Sequence, residues 1–228
     1  MNFFKLIIFD LDGTLLDTAP DVHNCVNLAL QEMGLSQVPL EQTKKAIGPG
    51  PAVFSKIILG EDNIHRFEEY RNIFRPIYLE KCMDKTIPFP GIINLLEKLH
   101  DYKLVVLTNK PSNSSNLILK GKNLLQYFDL VVGADNVEHP KPHPDMVYFA
   151  CSEFNISPGQ CVVIGDTDND ILAANSAGAY SCLAGWGYSS EKEKLSKISD
   201  FYIKQPQDAL EILARTNVPE KKIIKIEM

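Results

Sequence analysis

The chain has 228 residues, of which 45% are hydrophobic, enough to fill a core in one or two domains, and its formal charge of −6 with no basic stretch argues against a nucleic-acid partner. Its five cysteines, Cys25, Cys82, Cys151, Cys161 and Cys182, are odd in number and form no Cys-x-x-Cys pair, which excludes an obvious disulfide framework or zinc site and suits a reducing compartment. No apolar stretch approaches the ~20 residues that a bilayer requires, and the N-terminus runs into a strand without a cleavable signal, so no membrane partner and a cytoplasmic location are expected.

Taken in chain order, the first element is the run Lys5-Leu6-Ile7-Ile8-Phe9, which has no polar alternation after Lys5. It reads as a strand buried on both faces of a parallel sheet. It delivers Asp10 and Asp12 into a turn at Gly13, and in open parallel sheets the carboxyl ends of the strands face the ligand crevice. Two carboxylates so close repel unless a cation sits with them, and hard oxygen ligands suit Mg²⁺. Standing alone, Asp12-Gly13 reads equally well as a turn dipeptide and Asp10 as a strand terminator.

Thr18 and Pro20 then signal a helix start, with Val22, Val26, Ala29, Leu30 and Met33 on one face before Gly34. Ile64, Phe67, Phe74, Ile77 and Tyr78 give a second amphipathic face that Pro76 is expected to kink or interrupt. About seventy helical residues between two strands exceed what a crossover needs. Residues 17–84 therefore read as an inserted α-helical cap domain, and both apolar stripes as its core. Its loop Ile47-Gly48-Pro49-Gly50-Pro51, bent by glycines and stiffened by prolines, reads as a helix connector or a substrate-facing loop. Pro88, Pro90 and Gly91 mark the return to the main domain.

A second apolar run, Lys103 to Leu107, stops at Thr108-Asn109-Lys110, and a third, Cys161 to Gly165, stops at Asp166. If the three runs are neighbours, their ends gather two acids, a hydroxyl and a further carboxylate in one crevice. Asp170 lies four residues past Asp166, while Asp168 reads as a helix-start residue favouring the N-terminal dipole. In His139-Pro140-Lys141-Pro142-His143-Pro144 the prolines hold Lys141 in a stiff loop, as suits a fixed positive charge for phosphate. Mg²⁺ prefers oxygen, so His139 and His143 read as loop or helix-start residues. Strand and helix patterns alternate through Leu130 and Tyr180, which predicts a doubly wound α/β parallel sheet built from residues 1–16 and 85–228. Glu220 to Ile226 is weakly strand-like, an edge strand or a frayed tail.

Asp10-Leu11-Asp12-Gly13-Thr14, Thr108-Asn109, Lys141-Pro142 and Gly165-Asp166 with Asp170 resemble, in this order, the motifs of the haloacid dehalogenase superfamily. The second acid of the first motif resembles the phosphatase branch. Asp17-Thr18-Ala19-Pro20-Asp21 and Gly178-Ala179 with Gly185-Trp186-Gly187-Tyr188 resemble its phosphoglycolate phosphatase subgroup. The resemblance implies that Asp10 attacks phosphorus to give an aspartyl-phosphate, while Asp12 acts as acid and then base. It implies a Mg²⁺ held by Asp10, the Asp12 carbonyl and Asp166, with Asp170 a further candidate. Thr108, the backbone around Asn109 and Lys141 would bind phosphoryl oxygens; Lys110 competes with Lys141, and the family pattern favours Lys141.

Unit charges about 4 Å apart interact by about 4 kcal/mol at an effective dielectric of about 20, so a carboxylate approaching a phosphate dianion meets about 8 kcal/mol of repulsion. That is about a millionfold in rate, a term that a divalent ion can offset. The expected function is Mg²⁺-dependent hydrolysis of a small phosphorylated metabolite, 2-phosphoglycolate first, by a monomer or small homo-oligomer. A sugar-phosphate mutase of the same superfamily is the alternative, disfavoured because residues 46–52 carry no basic side chain for a second phosphate. Pyrophosphatase or nucleotidase activity are variants of the leading reading. A catalytically silent binding protein fits less well, since every polar group of the motifs is present.

Overall fold

The structure, a computed structural model, describes residues 3–215 together with Val218 and Lys221. The first apolar run forms β1 (Leu6–Phe9), all of it buried. A short β2 (Leu16–Asp17) leads into α1 (Ala19–Glu32), α2 (Leu40–Ala46), α3 (Pro51–Asn63) and α4 (Phe67–Lys81). The chain returns through β3 (Ile87–Pro88), which pairs antiparallel with β2. Strands and helices then alternate: α5 (Ile92–Leu96), β4 (Lys103–Leu107), α6 (Ser112–Gly121), β5 (Leu130–Val132), α7 (Asp145–Glu153), β6 (Cys161–Gly165), α8 (Asp168–Ala177), β7 (Tyr180–Ala184), α9 (Lys192–Ile198), β8 (Phe201–Ile203) and α10 (Ala209–Leu213).

Six strands form one parallel sheet in the order β5-β4-β1-β6-β7-β8. The predicted doubly wound α/β architecture is present. Side chains alternate across β1: Ile7 and Phe9 pack into one apolar cluster, Leu6 and Ile8 into another with Met146, Val147 and Ala174. Burial on both faces explains why this run lacks polar alternation. The chain order reverses at β1, with β4 and β5 on one side and β6, β7 and β8 on the other, so a crevice opens there at the strands' carboxyl ends. Phe9 is level with Val106 and Ile164, which brings Asp10, Thr108 and Asp166 out at the same edge.

The four helices between β2 and β3 pack on one another. α1 buries Val22, Val26, Ala29 and Leu30 of the predicted face, with Cys25 beside them, while Met33 caps its end. α4 does not stop at Pro76, contrary to the expected interruption. Asn72, whose carbonyl would have accepted the missing N–H bond, and Pro76 lie on the exposed face, where water replaces it. Along the other face Tyr70, Phe74 and Tyr78 stack in sequence, with ring centroids 5.4 Å apart at each step. Asp21 is buried at the start of α1, and its carboxylate accepts the backbone N–H of Lys85 at 2.9 Å and of Thr86 at 2.7 Å, tying the helices to the returning chain.

All five cysteines are buried free thiols. No helix among the described residues is long and apolar enough to cross a membrane. Of the segment 220–226, read above as edge strand or tail, only Lys221 lies within the described residues; its ammonium stands 3.6 Å from Asp200 Oδ2.

Candidate active site

At the carboxyl end of β1, Asp10 is anchored by its N–H, which donates to the Ile164 carbonyl at 2.9 Å. The Lys141 ammonium reaches it from the proline-rich loop, donating to Asp10 Oδ1 at 2.7 Å, to Asp170 Oδ1 at 2.6 Å and to the Leu107 carbonyl at 2.6 Å. All three of its protons are thereby used, and the residue is only 4% exposed. Asp166 is fully buried; its Oδ2 accepts the Tyr188 N–H at 2.6 Å and its Oδ1 the Thr14 hydroxyl at 3.2 Å. Carboxylate oxygens of Asp10, Asp166 and Asp170 lie within 4.8 Å of one another. Gly13, at φ +90°, turns the backbone against this group: a Cβ there would sit 2.6 Å from Asp166 Oδ2.

Burial raises the Asp10 carboxyl well above its ordinary range, with Lys141 offsetting part of the rise and Asp170 and Asp166 adding to it. Burial, and then the charge of Asp170, push Asp166 up to about 7. Burial alone would lower Lys141, but Asp10 and Asp170 hold it above its ordinary value. One ammonium is thus set among three buried carboxylates, an arrangement short of positive charge. Its donors are all hard oxygens, and a divalent hard cation fits both the charge and the donor set. Asp170 also accepts from Thr167, at 2.7 Å from the hydroxyl and 3.1 Å from the N–H, which caps α8.

Asp12 stands in a separate web. Its Oδ1 accepts the Thr18 hydroxyl at 2.5 Å and its Oδ2 pairs with Lys110 Nζ at 3.0 Å. The two lysines that competed for one role in the sequence are divided between the two acids, Lys141 on Asp10 and Lys110 on Asp12. Asp12 holds the Lys110 ammonium above its ordinary value although burial opposes it. The subgroup motifs meet here. The Tyr188 hydroxyl donates to Asp17 Oδ1 at 2.7 Å and accepts the N–H groups of Thr18 at 2.8 Å and Ala19 at 3.0 Å. Trp186 Nε1 donates to the Thr14 carbonyl at 3.0 Å.

Above the acids lies a cavity of about 520 Å³, lined by Asp10, Asp12, Thr108, Asn109, Lys110 and Gly48 together with side chains of α3 and α4. Lys141, Asp166 and Asp170 are not part of its lining, so the acidic group meets the cavity through Asp10. Asn109 Nδ2 donates to the Gly48 carbonyl at 2.9 Å and to the Lys141 carbonyl at 2.7 Å, joining the cap loop to the lysine loop. Its Oδ1 is buried without a partner among the described residues. Thr108 is buried and its hydroxyl accepts the Lys110 N–H at 3.1 Å.

Asp168 stays out of the acidic group and opens α8, as expected of a helix-start residue. Thr14 and Tyr188 were read only as members of quoted motifs and Thr18 only as a helix-start signal; none was given a place in the site. The available signal was a hydroxyl adjacent to an acid pair, which becomes specific only when the partner across the sheet is known.

The family model described as haloacid dehalogenase-like hydrolase matches residues 7–184. The chain is 37% identical over 211 residues to a phosphoglycolate phosphatase of Aquifex aeolicus, covering 92% of this chain and 96% of that one. It is 30% identical over 221 residues to a phosphoglycolate phosphatase of Nitrosospira multiformis, covering 93% and 97%. Among solved structures, a protein from Haemophilus somnus described as a predicted phosphoglycolate phosphatase superposes with a TM-score of 0.84 at 31% identity, over 93% of this chain and 99% of that one.

Proposed function

We propose, for a chain that belongs to the haloacid dehalogenase-like hydrolases and is a phosphatase among them, Mg²⁺-dependent hydrolysis of a small phosphomonoester, with 2-phosphoglycolate as the substrate. The observation that carries this reading is the division of labour at the cavity floor. Asp10 is gripped by Lys141 beside two further carboxylates, while Asp12, two residues on, is oriented by Thr18 and Lys110.

In this reading an Asp10 carboxylate oxygen attacks phosphorus, the bond to the leaving alcohol breaks, and Asp12 gives that oxygen its proton. Asp12 then takes a proton from water, whose oxygen attacks the aspartyl-phosphate; inorganic phosphate leaves and the Asp10 carboxylate is restored. Thr108 and the backbone at Asn109 hold the phosphoryl oxygens; Lys141, expected to join them, has its three protons engaged outside the cavity lining and instead fixes Asp10 and Asp170. Asp10, Asp166 and Asp170, with the Asp12 carbonyl, are the residues that would hold Mg²⁺. When bound, it supplies positive charge between the nucleophile and the phosphate dianion. The charge count supports a divalent ion. With Asp12 reserved as the proton donor beside Lys110, the three clustered carboxyl groups Asp10, Asp166 and Asp170 face the single ammonium of Lys141, and a divalent ion cancels the two negative charges that their full ionisation would leave.

Residues 17–84 serve as a cap domain over a core of residues 1–16 and 85–228, and the cap supplies specificity. Its wall of the cavity is largely apolar, with Phe54, Tyr70 and Phe74, and the cations on it are Arg71 and Arg75. Arg71 is paired with Glu68 at 2.6 Å. Arg75 has no ion pair among the described residues, so it is the group available for a substrate carboxylate. A panel of phosphorylated metabolites, ranked by kcat/KM with purified protein and Mg²⁺, tests the proposal. The expected result places 2-phosphoglycolate first, with turnover abolished by chelation and by Asp10→Asn. Turnover that survives Asp10→Asn overturns the mechanism, and a different metabolite at the top overturns the substrate.

A further inference from the structure

Apart from the acidic group, the described residues bring three potential metal-binding atoms together at one other place, formed by His139, His143 and Asp145, whose donor atoms all lie within 4.8 Å of one another. Asp145 opens α7, and its carboxylate stands between the two imidazoles: Oδ2 is 3.0 Å from His139 Nδ1 and Oδ1 is 2.9 Å from His143 Nδ1. The ring centroids are 4.7 Å apart, with the ring planes tilted by 43°. Side-chain exposures of 55%, 36% and 33% leave the group open to an ion from solvent.

We propose that His139, His143 and Asp145 form a second metal site, which takes a borderline divalent cation such as Zn²⁺ or Ni²⁺ in place of the proton between His139 and Asp145 and gives His143 Nδ1, which has no hydrogen-bond partner among the described residues, a ligand to bind. Two imidazole nitrogens and one carboxylate oxygen are the donor set such cations prefer, and one that Mg²⁺ does not. The geometry is close to what they need. Tetrahedral Zn²⁺ with bonds of about 2.0–2.2 Å sets neighbouring donors about 3.3–3.5 Å apart, so the contacts of 2.9 and 3.0 Å need open by only a few tenths of an ångström. Pro140, Pro142 and Pro144 fix the backbone between the ligands, which lowers the ordering entropy lost on chelation. Water fills the remaining coordination position.

The two sites are distinguished by chemistry and linked by the chain. The acidic group is buried and all-oxygen; the outer group is half-exposed and mostly nitrogen. His139 and His143 flank Lys141 two residues away on either side, so an ion on the outer group clamps the loop whose ammonium holds Asp10 and Asp170. An occupied outer site is therefore expected to raise the melting temperature.

Calorimetric titration of the Mg²⁺-saturated protein with ZnCl₂ tests the site. The expected result is one equivalent of Zn²⁺ bound, retained in Asp10→Asn. In the double variant His139→Ala, His143→Ala the affinity falls by more than the about 10- to 100-fold typical of losing a supporting partner, while Mg²⁺-dependent phosphatase activity persists. His139→Gln, at the most exposed of the three positions, gives the same loss if the double variant does not fold. With Co²⁺ in place of Zn²⁺, visible absorption bands of a nitrogen-ligated ion appear and vanish in the same variants. No Zn²⁺ bound to the wild type, or binding unchanged by the histidine substitutions, leaves only the His139–Asp145 hydrogen bond with His143 beside it and overturns the proposal. Binding lost in Asp10→Asn assigns the Zn²⁺ to the acidic group and overturns it as well.

Discussion

Asp166→Asn is expected to stabilise the metal-free protein at alkaline pH while removing its response to Mg²⁺. Asp166 is fully buried, and the amide can keep its contacts: the carbonyl accepts the Tyr188 N–H and the NH₂ group faces the Thr14 hydroxyl, which can turn to accept. What changes is the charge. The carboxyl, ordinarily at 3.8, is pushed up to about 7 by burial and by Asp170. Because its folded value lies above its unfolded value, the folded protein keeps a proton between about pH 4 and 7 that the unfolded chain has released, and stability falls as pH rises through that window. At about 1.4 kcal/mol per pKa unit the whole shift is worth about 4 kcal/mol as an upper bound, of which about 3 kcal/mol is lost between pH 5 and pH 8. For a chain of this size each kcal/mol moves the melting temperature by about 2–4 °C. Thermal unfolding in EDTA at pH 5 and pH 8 reads the effect directly. The variant's advantage over wild type should grow by up to roughly 5–10 °C across that interval. Added Mg²⁺ should raise the melting temperature of the wild type alone. An advantage independent of pH, or an equal response to Mg²⁺ in both proteins, refutes the reasoning.

Lys141→Ala leaves Asp10 and Asp170 buried without their cation, so it should cost about 3–5 kcal/mol in urea unfolding at pH 8 in EDTA and abolish turnover. A loss under 1 kcal/mol, on the order of a surface pair, would mean that the ammonium is not an essential partner. Arg75→Ala should raise KM for 2-phosphoglycolate by about 10- to 100-fold, as for loss of a charged hydrogen bond, with little effect on an aryl phosphate that lacks a carboxylate. Equal losses on both substrates would remove Arg75 from carboxylate recognition. Gly13→Ala combines φ +90° with a Cβ 2.6 Å from Asp166 Oδ2. It should cost at least about 1 kcal/mol of stability and weaken Mg²⁺ binding in a calorimetric titration, whereas unchanged affinity would show that the turn does not shape the acidic group.

The strands that build the site were legible because Leu6–Phe9, Cys161–Gly165 and, after the exposed Lys103, residues 104–107 are buried on both faces and so leave uninterrupted apolar runs that end abruptly in polar residues. Asp10, Asp12, Thr108 and Asp166 stand at those ends, and a parallel sheet with β1 at its centre brings them together from their order alone. Lys141 was legible through its prolines, although its grip on Asp10 and Asp170 was not. The web around Asp12 was hidden because its members are far apart in sequence: Tyr188 closes on Asp17 and Thr18 only after the sheet has formed. The three-residue β8 and the two-residue β2 and β3 are too short to carry a period. Pro76 misled because its cost in a helix depends on whether the orphaned carbonyl meets water, which a sequence pattern does not encode.

The central claim is that Asp10 carries the phosphoryl group. Acid quench of the Asp12→Asn variant during turnover of a radiolabelled aryl phosphate, followed by peptide mapping, tests it most directly, because a phenolate leaves without the proton of Asp12 while hydrolysis of the intermediate still needs Asp12 as base, so the acyl-phosphate should accumulate. The label is expected on Asp10, in an alkali-labile linkage, and absent when Asp10 is also replaced by Asn. A protein that turns over substrate without any covalent label, or that carries the label on another residue, contradicts the account.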